Sequence, residues 1–234
     1  MKSILWSAVV VAALASAAWG QDSTIVKDTL PTHIKSPFRD YNEKMSLSLF
    51  TGYFGGNRGQ AGVGPQGKFL VGAQYLLHLG GPASLISRLT YVPTSRYVVD
   101  PYQPKATQVS GPISEPLYML DVGITADITG EKLWHGTAPY AGFALGLANG
   151  GNQVDVGGYK FGTQFYLSLG GGVKWQVRER WVMTANAWFY FWQLHYPTTY
   201  FTTGPNTILP ANAPDKDWTT NGVYTIGFSY LIRK

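Results

Sequence analysis

The sequence predicts an all-β protein: an eight-stranded antiparallel up-and-down transmembrane β-barrel. Eight short segments between about Met45 and Ile232 alternate apolar and polar residues with period two, and the connections between them alternate long and short. Charge is also scarce, at 13% of residues, whereas aromatics reach 15% and glycines number 28. Successive side chains of a strand point to opposite faces, so period two separates an apolar face from a polar one. A charged share near half the roughly 25% of soluble domains leaves too little to cover a water-facing surface. No stretch after residue 20 approaches eighteen apolar residues, so membrane crossing falls to strands.

The first segment, 45–54, places Met45, Leu47, Leu49, Thr51 and Tyr53 outward and Ser46, Ser48 and Gly52 inward. The second, 68–79, sets Phe69, Val71, Ala73, Tyr75 and Leu77 against Lys68, Gly72, Gln74 and His78. The third, about 84–98, has Leu85, Leu89, Tyr91 and Val99 outward and Arg88, Thr90, Thr94 and Arg96 inward. Pro93 interrupts it and removes a ladder bond, which predicts a bulge or the barrel rim. The fourth is the most regular: Tyr118, Leu120, Val122, Ile124, Ala126 and Ile128 alternate with Asp121, Gly123, Thr125 and Asp127.

The fifth, 138–148, shows Pro139, Ala141, Phe143, Leu145 and Leu147 outward and small residues inward. The sixth, 161–176, opposes Phe161, Phe165, Leu167, Leu169, Val173 and Trp175 to Gln164, Ser168, Gly170, Gly172, Lys174 and Gln176. Both faces of the seventh, 181–193, are aromatic. Thr184 and Asn186 put the even positions inward, with Trp188, Tyr190 and Trp192 inside or near the rim. The eighth, 221–232, turns Tyr224, Ile226, Phe228, Tyr230 and Ile232 outward and Asn221, Thr225, Gly227 and Ser229 inward. An even strand number closes an up-and-down barrel.

Long connections at 55–67, 99–114, 149–160 and 194–220 face one end, and short ones at 80–83, 130–137 and 177–180 the other. Outer-membrane barrels keep short turns in the periplasm, so both termini are expected there. Aromatic belts are expected at the two interfaces, with Trp134, Tyr140, Trp175 and Trp181 at the short-turn end. Tyr53, Tyr97, Tyr118, Phe189 and Phe191 lie towards the other end.

Lys2, the apolar run Ile4 to Ala18, and small residues Ala18 and Gly20 before Gln21 read as a secretory signal peptide over 1–20, with cleavage after Ala17 the second choice. Residues 21–44, broken by Pro31 and Pro37, are expected to form a periplasmic segment tucked beneath the barrel, and 45–234 the barrel itself. The lumen is expected to be too full for a plug. The absence of cysteine excludes disulfide, thiol and cysteine–metal chemistry.

Together these features resemble the small eight-stranded outer-membrane barrels of the OmpA and OmpX type over residues 45–234. The final strand, Tyr224-Thr225-Ile226-Gly227-Phe228-Ser229-Tyr230-Leu231-Ile232, resembles the C-terminal signal read by the barrel-assembly machinery, though Arg233-Lys234 stand where the family ends in Phe or Trp. The resemblance implies a Gram-negative cell-envelope location and contact with outer-membrane lipid and lipopolysaccharide. It says less about a job.

An eight-stranded barrel encloses only its own side chains or one small ligand. The inward set Lys68, His78, Arg88, Arg96, Asp121, Asp127 and Lys174 is expected to fill the lumen as a polar network. Counting back from the third-to-fourth connection puts Arg88 opposite about 125–127, which predicts an Arg88–Asp127 pair. A porin-like channel or a carrier of hydrophobic solutes is the alternative use of that interior.

Some barrels of this size are lipid A-modifying enzymes, and such chemistry needs a serine activated by a histidine at the outer rim. Of His33, His78, His135 and His195 only His195 falls at that end, and Tyr196-Pro197-Thr198-Thr199 after it supplies no serine. A non-enzymatic structural or surface-interaction role is therefore expected, with no cofactor, no metal and no nucleic acid. The 194–220 loop, with Tyr196, Tyr200, Phe201, Trp218 and four prolines, suits either an extracellular ligand or an ordered cap. Arg58, Lys105, Lys160 and Lys216 are loop charges able to meet lipopolysaccharide phosphates. A soluble lipocalin-like barrel, apolar inside and polar outside, is the main alternative fold.

Overall fold

A computed structural model of the chain describes residues 36–41, 43–202 and 204–232. The expected signal peptide and most of the 21–44 segment lie outside the described residues. The unit that begins at Pro37 is built on twelve strands. They are β1 (Phe38–Asp40), β2 (Met45–Gly55), β3 (Lys68–Gly80), β4 (Ala83–Val92), β5 (Ser95–Val99) and β6 (Val109–Ser114). The others are β7 (Leu117–Asp127), β8 (Lys132–Trp134), β9 (Thr137–Asn149), β10 (Thr163–Arg178), β11 (Trp181–His195) and β12 (Lys216–Ile232).

Eight of these close a cylinder in the order β2-β3-β4-β7-β9-β10-β11-β12 and back to β2, every pairing antiparallel. The closing seam pairs Met45 with Ile232 and Tyr53 with Tyr224. Closure leaves no open edge strand, since every wall strand is paired on both sides, the condition for strands to lie in hydrocarbon.

The faces follow the alternation. Ser46, Ser48, Thr125, Ser168, Thr184, Asn221, Thr225 and Ser229 are buried inside, while Leu49 is 70% and Ile226 61% exposed on the outer wall. Leu47, Val71, Leu89, Leu120, Val122, Phe143, Leu145, Leu169 and Phe228 continue that apolar surface around the cylinder. A water-soluble lipocalin-like barrel has the opposite polarity, so that alternative does not fit.

The third predicted segment divides at Pro93. β4 ends at Val92, opposite Leu117, and the same register resumes in the separate β5–β6 hairpin, with Ser95 opposite Ser114. Two expected outward residues are corrected. Val99 is buried because β5 stands beyond the wall and turns it under the loops, and Phe161 is buried because it precedes β10. The loop after β11 carries a short helix, α1 (Thr199–Thr202), with Tyr200 buried over the barrel mouth. Among the described residues no helix is long and apolar enough to cross a membrane.

Glycine is required where rings lie flat on the inner wall. A Cβ at Gly146 would stand 2.6 Å from the Tyr166 ring, and one at Gly170 would stand 2.7 Å from the Trp188 Cα. Small residues on one strand thus admit bulky ones from the next.

Candidate functional site

The lumen holds two charge clusters along the strands, and a third stands above them. At mid-height Arg88 lies directly opposite Asp121 across β4 and β7. Its Nε donates to Asp121 Oδ1 at 2.8 Å and a terminal nitrogen to Ser168 Oγ at 3.1 Å. Tyr166 donates its hydroxyl to Asp121 Oδ2 at 2.7 Å. The guanidinium lies 3.9 Å from the Trp188 ring centroid and 5.7 Å from that of Tyr190. Tyr190 in turn stacks on Tyr166 at 4.9 Å. An ion pair taken out of water persists only when further hydrogen bonds support it, and here Ser168 and Tyr166 supply them.

The expected Arg88–Asp127 pair is therefore corrected. Counting from an unpaired 99–114 loop places the hairpin's centre too far along the chain. The chain instead turns between Val99 and Val109, and the β5–β6 arms carry that turn's register on into β4 and β7, so Ser84, not Arg88, meets Thr125.

Near the short-turn end Lys174 Nζ donates to Glu43 Oε2 at 2.9 Å and lies 3.0 Å from Asp127 Oδ1. Glu43 arrives from outside the barrel strands. β1 pairs with β8, Tyr41 N donates to Glu131 O at 2.9 Å, and His78 N donates to Lys44 O at 2.9 Å. Those bonds hold Tyr41 and Glu43 in the lower mouth, Tyr41 packing with Leu133, Ala138, Val182 and Leu231. The mouth accommodates two side chains of a segment expected to stay beneath it. Glu43→Ala is expected to cost about 1–3 kcal/mol, the penalty for an unmet buried donor, held to that scale because the Lys174 charge keeps Asp127. Urea unfolding in lipid vesicles measures it, and an unchanged midpoint would show that the segment does not hold the mouth.

The other predicted network members are distributed differently. Lys68 is exposed at the long-loop end, because it is the first residue of β3. His78 is half-buried at the short-turn end, its Nε2 3.7 Å from Glu131. Arg96 is buried above the wall in the β5–β6 hairpin, where it meets Glu115 and Asp155. Burial pushes the Glu115 carboxyl above the ordinary range, against the opposing pull of the Arg96 guanidinium.

Of the predicted short-turn belt, Trp134, Trp175 and Trp181 are about half exposed on the outside, with Trp181 edge-on to Tyr230 at 5.3 Å. Tyr140 is corrected: it is 6% exposed and turned inward, hydrogen-bonded through its hydroxyl to Asn186. Its even position on β9 shares the inward phase of Gly142 and Ala144, so alternation overrides its nearness to the interface.

Above the Arg88 cluster the interior turns aromatic. Trp192 stacks on Phe54 at 5.9 Å and meets Phe161 edge-on at 5.8 Å, and Tyr159, Tyr196 and Tyr200 close the mouth with Leu209. Burial, with the hydrogen bond that its hydroxyl donates to Asp217, pushes the Tyr196 phenol up. Arg88, Trp188, Tyr190 and Asn186 line a cavity of about 10 Å³. Among the described residues no group of three or more His, Asp or Glu stands ready to hold a metal ion.

Glu43, Glu115 and Asp155 are the charged residues that strand alternation missed. A signal existed in the charge count: the predicted inward set holds Lys68, Arg88, Arg96 and Lys174 against only Asp121 and Asp127. The missing carboxylates had to come from loops and the N-terminal segment.

No family model and no curated protein matches the chain. Among solved structures it is similar to Neisserial surface protein A, at 13% identity and a TM-score of 0.47, over 84% of this chain and 98% of that one. It is also similar to the N-terminal β-barrel domain of Pseudomonas aeruginosa OprF, at 15% identity and a TM-score of 0.40, over 80% and 98%. A third is a major outer membrane protein from Thermus thermophilus, at 11% identity and a TM-score of 0.42, over 82% and 100%. At those levels the fold rests on the strand ladder itself.

Proposed function

We propose that the chain is a non-enzymatic outer-membrane barrel with a structural or surface-interaction role, its long loops outside, its termini periplasmic and its lumen closed. The observation that carries this reading is the inverted polarity: a continuous apolar outer wall around an interior of ion pairs and stacked rings. Water outside such a wall would leave Leu49, Ile226, Phe228 and Leu120 solvated all around the cylinder, far beyond the apolar patch of a few hundred Å² usual on a soluble monomer. Hydrocarbon removes that penalty. The exposed Trp134, Trp175 and Trp181 suit headgroup depth at one end. Lipopolysaccharide and outer-membrane lipid are the proposed surroundings, and the barrel-assembly machinery the proposed route of insertion.

The filled lumen argues against conduction. Arg88, Asp121, Trp188 and Tyr190 cross it at one level and Lys174, Glu43 and Asp127 at another. The test joins two measurements on one preparation. The protein is expected to fractionate with outer membranes and change gel mobility on boiling, and to show negligible conductance in planar bilayers. Steady, large current steps overturn the closed-lumen reading, and recovery as a soluble protein overturns the membrane reading.

A further inference from the structure

The wall carries a notch at its long-loop end. β10 pairs with β9 from its first residue, Thr163, and β11 pairs with β12 as far as His195 opposite Lys216, but the ladder between β10 and β11 stops at Tyr166 opposite Trp192. Each strand thus continues past that point with its other neighbour, and the two part company. The gap is a cleft of about 440 Å³, with Asn152, Lys160, Thr163, Gln164, His195 and Tyr196 among its lining. That volume falls within the range of small-molecule sites, roughly 300–1,000 Å³.

The lining offers amides, hydroxyls, an imidazole and a lysine and holds no carboxylate, and exposed Asp215, whose carbonyl accepts from Tyr196 N at 2.8 Å, stands just outside it. The nearby Asp217 is turned inward, taking the Tyr196 hydroxyl at 2.9 Å and the Gln60 amide at 2.8 Å. Lys216 adds a second cation at the edge, on the same outward-facing phase of β12 as Tyr224 and Ile226. Directly below, the outer wall becomes apolar: Phe165 and Trp218 are exposed, and Phe189, opposite Leu169, follows two outward positions further down. A headgroup in the notch would thus have its acyl chains against aromatic rings.

We infer that this notch binds the phosphorylated-sugar headgroup of an outer-leaflet glycolipid. The inference rests on the membrane reading above, which sets the notch at headgroup depth. Amides and hydroxyls suit sugar hydroxyls, and Lys160 and Lys216, with a ring nitrogen of His195, suit a phosphate where the cleft lining itself holds no carboxylate. A free sugar phosphate shares the polar half of this chemistry but not the contact with Phe165 and Trp218, so the lipid is the assigned occupant.

The test uses the full chain in phosphatidylcholine nanodiscs titrated with bisphosphorylated lipid A and read by native mass spectrometry. One saturable lipid A per barrel is expected. Lys160→Gln combined with His195→Gln is expected to weaken it by about tenfold or more, the scale of one lost charge-assisted hydrogen bond. Lys132→Gln, exposed in β8 at the opposite, short-turn end, is expected to leave it unchanged. The boiling-dependent gel shift establishes that each variant is folded. Equal retention of dephosphorylated lipid A, an unaltered double variant, or free glucosamine 1-phosphate binding as tightly as the lipid each overturns the notch. A barrel that inserts but keeps no lipid A refutes the site alone, whereas a chain that does not insert refutes the membrane reading beneath it.

Discussion

Arg88→Met is expected to destabilise the barrel by about 3–5 kcal/mol, the scale seen when one partner of a buried pair is removed. The methionine fills the space and removes the charge. Asp121, 2% exposed, would then keep only the Tyr166 hydroxyl to offset its desolvation. Adding Asp121→Asn to that variant is expected to recover most of the loss, because a neutral amide still accepts from Tyr166 without an uncompensated charge. Urea unfolding in lipid vesicles, followed by tryptophan fluorescence, measures both. A loss within the roughly 0–1 kcal/mol of a surface pair would mean that the lumen holds water around Asp121.

Val122→Arg is the complementary experiment on the outer wall. Val122 stands mid-way along β7, pointing out, opposite Ser87 on one side and Leu145 on the other. Arginine at the middle of a lipid-facing strand costs about 2–4 kcal/mol, and the penalty falls to about 0–1 near the interfaces. The same substitution at Tyr118, at the top of β7, is thus expected to be much milder. Equal and small effects at both depths would mean that the wall is not in hydrocarbon.

Alternation exposes a strand in the sequence because the pleat forces it, and β7 and β12 show it along their whole length: in both, odd-numbered residues turn inward and even-numbered ones outward. Tyr140 shows how strong that rule is, since position in the pleat decided its direction where residue type suggested the opposite. Partners across the lumen were less legible. Arg88 and Asp121 both declare an inward phase, but which carboxylate faces which cation depends on register, and register depends on where a hairpin turns. The β5–β6 hairpin extends the ladder beyond Pro93, which a proline signal reads as an end. Glu43 was hidden for a different reason: its approach is set by backbone bonds of β1 to β8, a pairing between two three-residue strands that carry no periodic pattern. The notch was likewise invisible, because Thr163 and His195 both belong to regular strands and only the missing pairing between them opens the wall.

The seam at Met45 and Ile232 has a topological corollary. The first and last wall strands finish side by side at the same rim, paired in the same antiparallel manner as every other neighbouring couple. Chain order is thus incidental to the cylinder. A circular permutant, Ile232 joined to Met45 by a short linker and new ends cut between Lys105 and Gln108, would retain every rung of the wall and carry its termini at the opposite rim of the cylinder.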